Sequence, residues 1–99
     1  MFSFVQLMTL QTSKIDEIRA AVDEWQKATE GTRTVMRSAV CQDRDNPGLY
    51  SIIVSFDSYE DAMKNSELPE TDALSQKILT LSDGSPTFVN LDVIEERLV

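Results

Sequence analysis

The side chains that could do chemistry in this chain are carboxamides, one indole, two phenols, arginines and carboxylates, because its 99 residues include no histidine. Histidine is the commonest general base near neutral pH and the commonest nitrogen ligand for metals. Its absence removes both roles. Asn65 stands in the run Glu60-Asp61-Ala62-Met63-Lys64-Asn65-Ser66. Its carboxamide can hydrogen-bond a substrate oxygen, or it can cap a helix that breaks before Pro69. Trp25 lies on an apolar stripe with Ile15, Ile18 and Val22, where an indole either fills the core or walls an aromatic pocket. Tyr50 shares strand parity with Ile52, Val54 and Phe56, so its ring points inward and its hydroxyl needs a partner. A pocket phenol and a packed core residue both fit that position.

Two further pairs are polar residues on otherwise apolar strands. Arg33 and Arg37 stand four apart and share a face with Val35. They can hold an acidic ligand or a partner's carboxylate, or they can protect an exposed edge strand with charge. Asn90 and Asp92 share parity with Phe88 and Ile94. Buried polar groups need partners, so this pair either orients a substrate or bonds across a dimer. Glu67, Glu70 and Asp72 fall in the helix break and are expected to face water, so no metal is expected.

The elements that must position these groups follow from periodicity. Residues 2–10 alternate as a strand, with Phe4, Met8 and Leu10 on one parity and Val5 and Leu7 on the other. Thr12 or Ser13 can cap the following helix, Asp16 and Glu17 suit its first turn, and Gly31 ends it. Residues 33–42 read as a second strand, with Val35, Ala39 and Cys41 on one face and Met36 and Val40 on the other. The segment Asp43-Arg44-Asp45-Asn46-Pro47-Gly48 turns the chain into a third strand over 49–56, completing a hairpin. Ser58 caps the next helix, with Asp61 as a carboxylate form of the capping box. Pro69 interrupts that helix, and a further helical piece at about 70–82 carries Leu74, Ile78 and Leu81 on one face. Asp83-Gly84-Ser85-Pro86 stops it, and 87–95 form the last strand.

This order, β-α-β-β-α-β, is the split unit of ferredoxin-like α+β folds with a four-stranded antiparallel sheet. Helices on one side cover one sheet face only. The strands carry apolar residues on both parities, so the second face is expected to pack on another copy in a homodimer.

Composition narrows the partners. Nine basic and seventeen acidic residues give a formal charge of −8. Nucleic-acid sites are built from Lys and Arg patches, and anionic membranes attract the same residues. No nucleic-acid and no membrane partner is therefore expected. A hydrophobic content of 41% with 26% charged residues is that of a folded globular chain. One domain over residues 1–99 is expected. The single cysteine, Cys41, cannot form an internal disulfide and reads as a small buried hydrophobe. The start, Met1-Phe2-Ser3-Phe4-Val5, lacks a basic n-region, and its apolar run is too short to span a bilayer. A cytoplasmic location is expected.

The strand-to-helix segment resembles the antibiotic biosynthesis monooxygenase-like families of the dimeric α+β barrel superfamily. In these families a strand ending in an aromatic residue leads to Ser-x-Glu-x-Ala, often followed by histidine three residues later. Here the corresponding residues are Phe56, Ser58, Glu60, Ala62 and Asn65. The run Pro86-Thr87-Phe88-Val89-Asn90-Leu91-Asp92-Val93 is similar to the last strand of such proteins. The resemblance implies a dimeric barrel and a cleft between helices and sheet. Asparagine in place of the helix histidine removes the iron ligand that haem-degrading members use. What it then implies is a cofactor-independent monooxygenase-like protein acting on a small aromatic or quinol-type substrate. Asn65, Tyr50 and Trp25 would be the pocket residues, with Arg33, Arg37, Asn90 and Asp92 as substrate contacts and no cofactor. The alternative is a small-ligand-binding or structural homodimer without chemistry.

Overall fold

The computed structural model describes residues 2–99; Met1 lies outside them. Four strands and three helices alternate as β1 (Phe4–Gln11), α1 (Ile15–Ala28), β2 (Val35–Gln42), β3 (Leu49–Phe56), α2 (Tyr59–Glu67), α3 (Pro69–Leu81) and β4 (Thr87–Asp92). The strands form one antiparallel sheet in the order β2-β3-β1-β4. This is the ferredoxin-like α+β arrangement expected from the hydrophobic periodicity.

The helix-side face of the sheet holds two apolar clusters. Leu10, Ile18, Ile52 and Ile78 are buried together, with Met8, Ile15, Val22, Val54, Leu74 and Leu81 packed around them. Phe4, Phe56 and Ala62 form the second, against Val35 and Val54. Phe4 meets Tyr59 edge-on at 5.3 Å between ring centroids, which pins the first turn of α2 to β1. Aromatic pairs favour this edge-to-face geometry.

Local chemistry sets the helix ends. Ser58 Oγ accepts from the Asp61 backbone N–H at 3.1 Å, the cap expected from the sequence. Pro69 opens α3 at its first turn, where its missing N–H costs nothing. Thr12 plays a different part from the expected side-chain cap. Its hydroxyl accepts from the Lys14 N–H at 2.9 Å and donates to the Leu81 carbonyl at 2.6 Å, tying the start of α1 to the end of α3. Lys14 occupies the cap position without a side-chain bond. The α1 helix stops at Ala28, with the Thr29 N–H bonded to the Trp25 carbonyl. Gly31 comes later, in the turn, at φ 87°.

Strand β2 corrects the sequence reading. It begins at Val35, so Arg33 precedes it. Val35 pairs with Phe56 while Arg37 pairs with Ser55, a register shift that leaves Met36 as the extra residue of a bulge. A bulge reverses the alternation beyond it. Val35, Ser38 and Val40 therefore face the helices, and Arg37, Ala39 and Cys41 face the opposite side. Arg37 does not share a face with Val35, and Cys41 is exposed rather than buried.

The opposite face presents Val5, Leu7, Ile53, Val89 and Leu91, in register across β3, β1 and β4. No helix covers it. Every residue of β4 is exposed, and strand pairing ends at Asp92, short of the expected 95.

Candidate functional site

Between the two apolar clusters the sheet and helices do not close completely. A cavity of about 90 Å³ remains, floored by Gln6 and Met8 of β1, Val35 and Ser38 of β2, and Ile52, Val54 and Phe56 of β3. Its roof is Val22 and Trp25 of α1, Asn65 of α2, and Thr71, Leu74, Ser75 and Ile78 of α3. None of these side chains is ionisable. The interior is a neutral, mostly apolar chamber with five polar residues set in its walls.

Asn65 is the most constrained of the five. It follows Ala62 by three positions, so both lie on the buried face of α2. The capping role is filled by its backbone: the Asn65 carbonyl accepts from the Leu68 N–H at 3.2 Å. The side chain is left free of that duty. It is 8% exposed, and its Oδ1 is buried with no hydrogen-bond partner among the described residues. An unsatisfied buried acceptor costs about 1–3 kcal/mol. Native structures rarely carry such groups without a reason in ligand or solvent.

Trp25 forms the adjoining wall. Its Nε1–H donates to Thr71 Oγ1 at 2.9 Å, which fixes the ring between α1 and α3. The indole thus offers the chamber its apolar ring while its polar edge is already engaged. Trp25 also borders a larger but open groove of about 220 Å³ between α1 and α3. That groove is rimmed by Glu24, Glu70 and Lys77 and lies outside the chamber.

The remaining candidates sit elsewhere. Tyr50 faces the helix side as its parity requires, but it lies at the end of β3 and borders a separate surface depression with Ile15, Arg19, Val40 and Gln42. Its hydroxyl accepts from Gln42 Nε2 at 3.3 Å. Arg33 donates to the Gln26 carbonyl at 2.7 Å, outside the chamber. Arg37, on the uncovered face, places its guanidinium 5.7 Å from the Phe2 ring centroid. Asn90 and Asp92 face the helix side, but on exposed β4. Asn90 touches the site at one remove, accepting through Oδ1 from Gln6 Nε2 at 3.2 Å.

The structure therefore brings Asn65 and Trp25 together and leaves Tyr50, Arg33, Arg37 and Asp92 away from the chamber. Sequence reasoning missed Gln6, Ser38, Thr71 and Ser75. Gln6 carried a signal, being polar on the parity of Phe4, Met8 and Leu10. Thr71 and Ser75 also carried one, falling on the helical face of Leu74 and Ile78. Ser38 carried none, because only the bulge turns it inward. Among the described residues, no three His, Cys, Asp or Glu side chains group as a metal site. No helix among them is long and apolar enough to cross a membrane.

No protein-family model and no curated protein matches the sequence. Solved structures match the fold. SnoaB, a cofactor-independent oxygenase from Streptomyces nogalater solved as an asparagine-to-alanine mutant, superposes with a TM-score of 0.80 at 9% identity over 97% of each chain. A conserved protein from Methanosarcina mazei gives 0.79 at 11% identity over 93% of each. A candidate antibiotic biosynthesis monooxygenase from Deinococcus radiodurans gives 0.76 at 16% identity over 97% of each. The chain has the fold of the antibiotic biosynthesis monooxygenase-like proteins.

Proposed function

We propose that the chamber is a ligand site and that the protein acts as a cofactor-independent monooxygenase on a small aromatic or quinol-type substrate. The observation that carries this reading is Asn65, a buried acceptor without a partner, set beside the ring of Trp25 in an otherwise apolar chamber. The fold it shares with an oxygenase that needs no cofactor supports it.

Such chemistry asks little of a protein. An electron-rich phenol or anthrone loses a proton, and the resulting carbanion reduces dioxygen itself. One oxygen atom enters the ring carbon as a carbonyl. The other leaves as water with the two displaced hydrogens. The protein supplies a dry enclosure and a fixed dipole at the substrate oxygen. The apolar walls would give the first, and the N–H end of the Asn65 carboxamide the second, with Oδ1 accepting from the substrate hydroxyl before its proton leaves. Trp25 would hold the aromatic plane.

The neutral walls favour a second reading. No ionisable side chain is present to take the substrate proton, and a chamber with that chemistry also suits a binder without catalysis. Oxygen uptake separates the two. With a broad panel of hydroquinones and anthrones, the oxygenase consumes oxygen, and Asn65→Ala slows it without lowering the melting temperature. No uptake over the whole panel would leave only the binder.

In either case we propose a homodimer through the uncovered sheet face, where Val5, Leu7, Ile53, Val89 and Leu91 lie together. Leu91 is 44% and Val89 46% exposed in the single chain. A contiguous apolar patch of that kind is an interaction surface. A sedimentation mass of one chain would reject the dimer.

A further inference from the structure

We infer that Trp25 is the gate of the chamber and sets the size of ligand it admits. The indole leaves Thr71 and turns outward into the groove between α1 and α3, and the ligand takes the space it gives up. This inference rests on the reading of the chamber as a ligand site and adds the wall that moves.

A wall has to move. An apolar cavity of about 150 Å³ accommodates benzene, and the closed chamber has only about 90 Å³. Even one aromatic ring needs more room than that. The walls differ in how firmly they are held. Every apolar wall residue except Trp25 also packs into one of the two apolar clusters. Displacing any of those would open a void in the core.

Trp25 is held otherwise. It is half-buried, and one bond fixes its ring, from Nε1–H to Thr71 Oγ1 at 2.9 Å. Behind it lies no core but the open groove of about 220 Å³, lined by the small side chains of Ala21, Ala28 and Ala73. Among the described residues no ion pair crosses that groove. An indole turned into it exchanges Thr71 for water, and the loss of one neutral hydrogen bond lowers a population by about tenfold at most.

The gain is volume. Joined, chamber and groove reach the lower end of the roughly 300–1,000 Å³ that small-molecule sites occupy. That is room for a ligand of more than one ring. The turned indole then lies along the ligand's outer side and screens it from the charged rim of Glu24, Glu70 and Lys77.

Nuclear magnetic resonance of the intact protein tests the gate, because Trp25 is the only tryptophan and its indole N–H gives one signal. Binding of phenol or anthrone is followed separately at the Asn65 side-chain amide. With either ligand bound, the indole N–H is expected to lose its nuclear Overhauser contact with Thr71 and to exchange with water on the order of tenfold faster. Ala28→Leu and Ala73→Leu fill the groove from either helix. Both alanines are exposed and outside the chamber, so the melting temperature should not fall. Each variant is expected to bind both ligands about tenfold more weakly, since the indole has nowhere to go. Adding Trp25→Ala to Ala73→Leu should restore anthrone binding. Binding with the indole N–H still on Thr71, or unchanged affinity in both leucine variants, overturns the gate and leaves the chamber as a ligand site. No response at Asn65 to phenol or anthrone, in the parent or in Trp25→Ala, overturns the ligand site and the gate with it.

Discussion

The helix-covered face of the sheet is built in two ways within a few residues. Toward the Leu10 end, Leu10, Ile18, Ile52 and Ile78 close on one another as aliphatic side chains, and Ile18 is 0% exposed. In the middle, where Gln6 pairs with Val54, the same parity and the same helical faces carry Gln6, Ser38, Asn65, Thr71 and Ser75 around an open chamber. The backbone is continuous across both, so the difference lies in the side chains. Aliphatic residues at the first region stabilise the fold. Polar residues at inward positions in the second give up packing and leave one acceptor unpartnered. Stability and binding capacity are thus carried by neighbouring sets of residues that meet at Ile52 and Ile78, which belong to both.

The largest expected effect tests the packed region. Ile18→Ala should lower the unfolding free energy by about 2–5 kcal/mol, because truncation of a fully buried aliphatic side chain loses transfer energy and leaves a void. Urea denaturation measures it. A loss below about 1 kcal/mol would mean that this region is no better packed than the chamber, and the contrast would fail.

The next effect has the opposite sign. Asn65→Leu keeps the branched heavy-atom shape, adds apolar bulk toward the chamber and removes the unpartnered acceptor. It also replaces a poor helix former with a good one. The unfolding free energy should rise by about 1–2 kcal/mol, visible as a higher urea midpoint with an unchanged slope. A destabilised variant would show that the Asn65 side chain is structural, and the chamber would lose its distinguishing residue.

The packed region was the more legible of the two in the sequence. Alternating apolar residues in 4–10 and 49–56, the stripe through Ile15, Ile18, Val22 and Trp25, and the break at Pro69 each act locally, so period and punctuation reveal them. The placement of Asn65 beside Trp25 in the roof was legible in part, because each residue could be put on its own inward face. The bulge at Met36 was not. A bulge is defined by two residues opposing one on the partner strand, and a single strand's sequence does not contain the partner. That one extra residue undid the shared face of Val35 and Arg37 and brought Ser38 inward. Tyr50 failed for a different reason. Its parity was right, but parity does not say how far along the strand the helices reach. Whether a chamber exists depends on how side chains from six elements meet, a long-range property that no local pattern encodes.

The smallest effect concerns the hinge between the two regions, the bond from Trp25 Nε1–H to Thr71 Oγ1. Thr71→Val keeps the side-chain volume and removes the acceptor. The indole N–H is then left in a part-buried site with nothing to receive it, at a cost of about 0.5–1.5 kcal/mol. If the bond only stabilises the roof, the loss appears in urea denaturation, and the response of the Asn65 side-chain amide to phenol is unchanged. If it also holds the ring closed over the chamber, phenol binding strengthens, since the indole no longer leaves that bond to make room. A double-mutant cycle with Asn65→Leu separates these outcomes. Additive effects place Trp25 with the packed region as a wall held from behind. A coupling above about 0.5 kcal/mol makes Trp25 and Asn65 one unit, and the boundary between packed and hollow regions would then run through α1 rather than between α1 and α2.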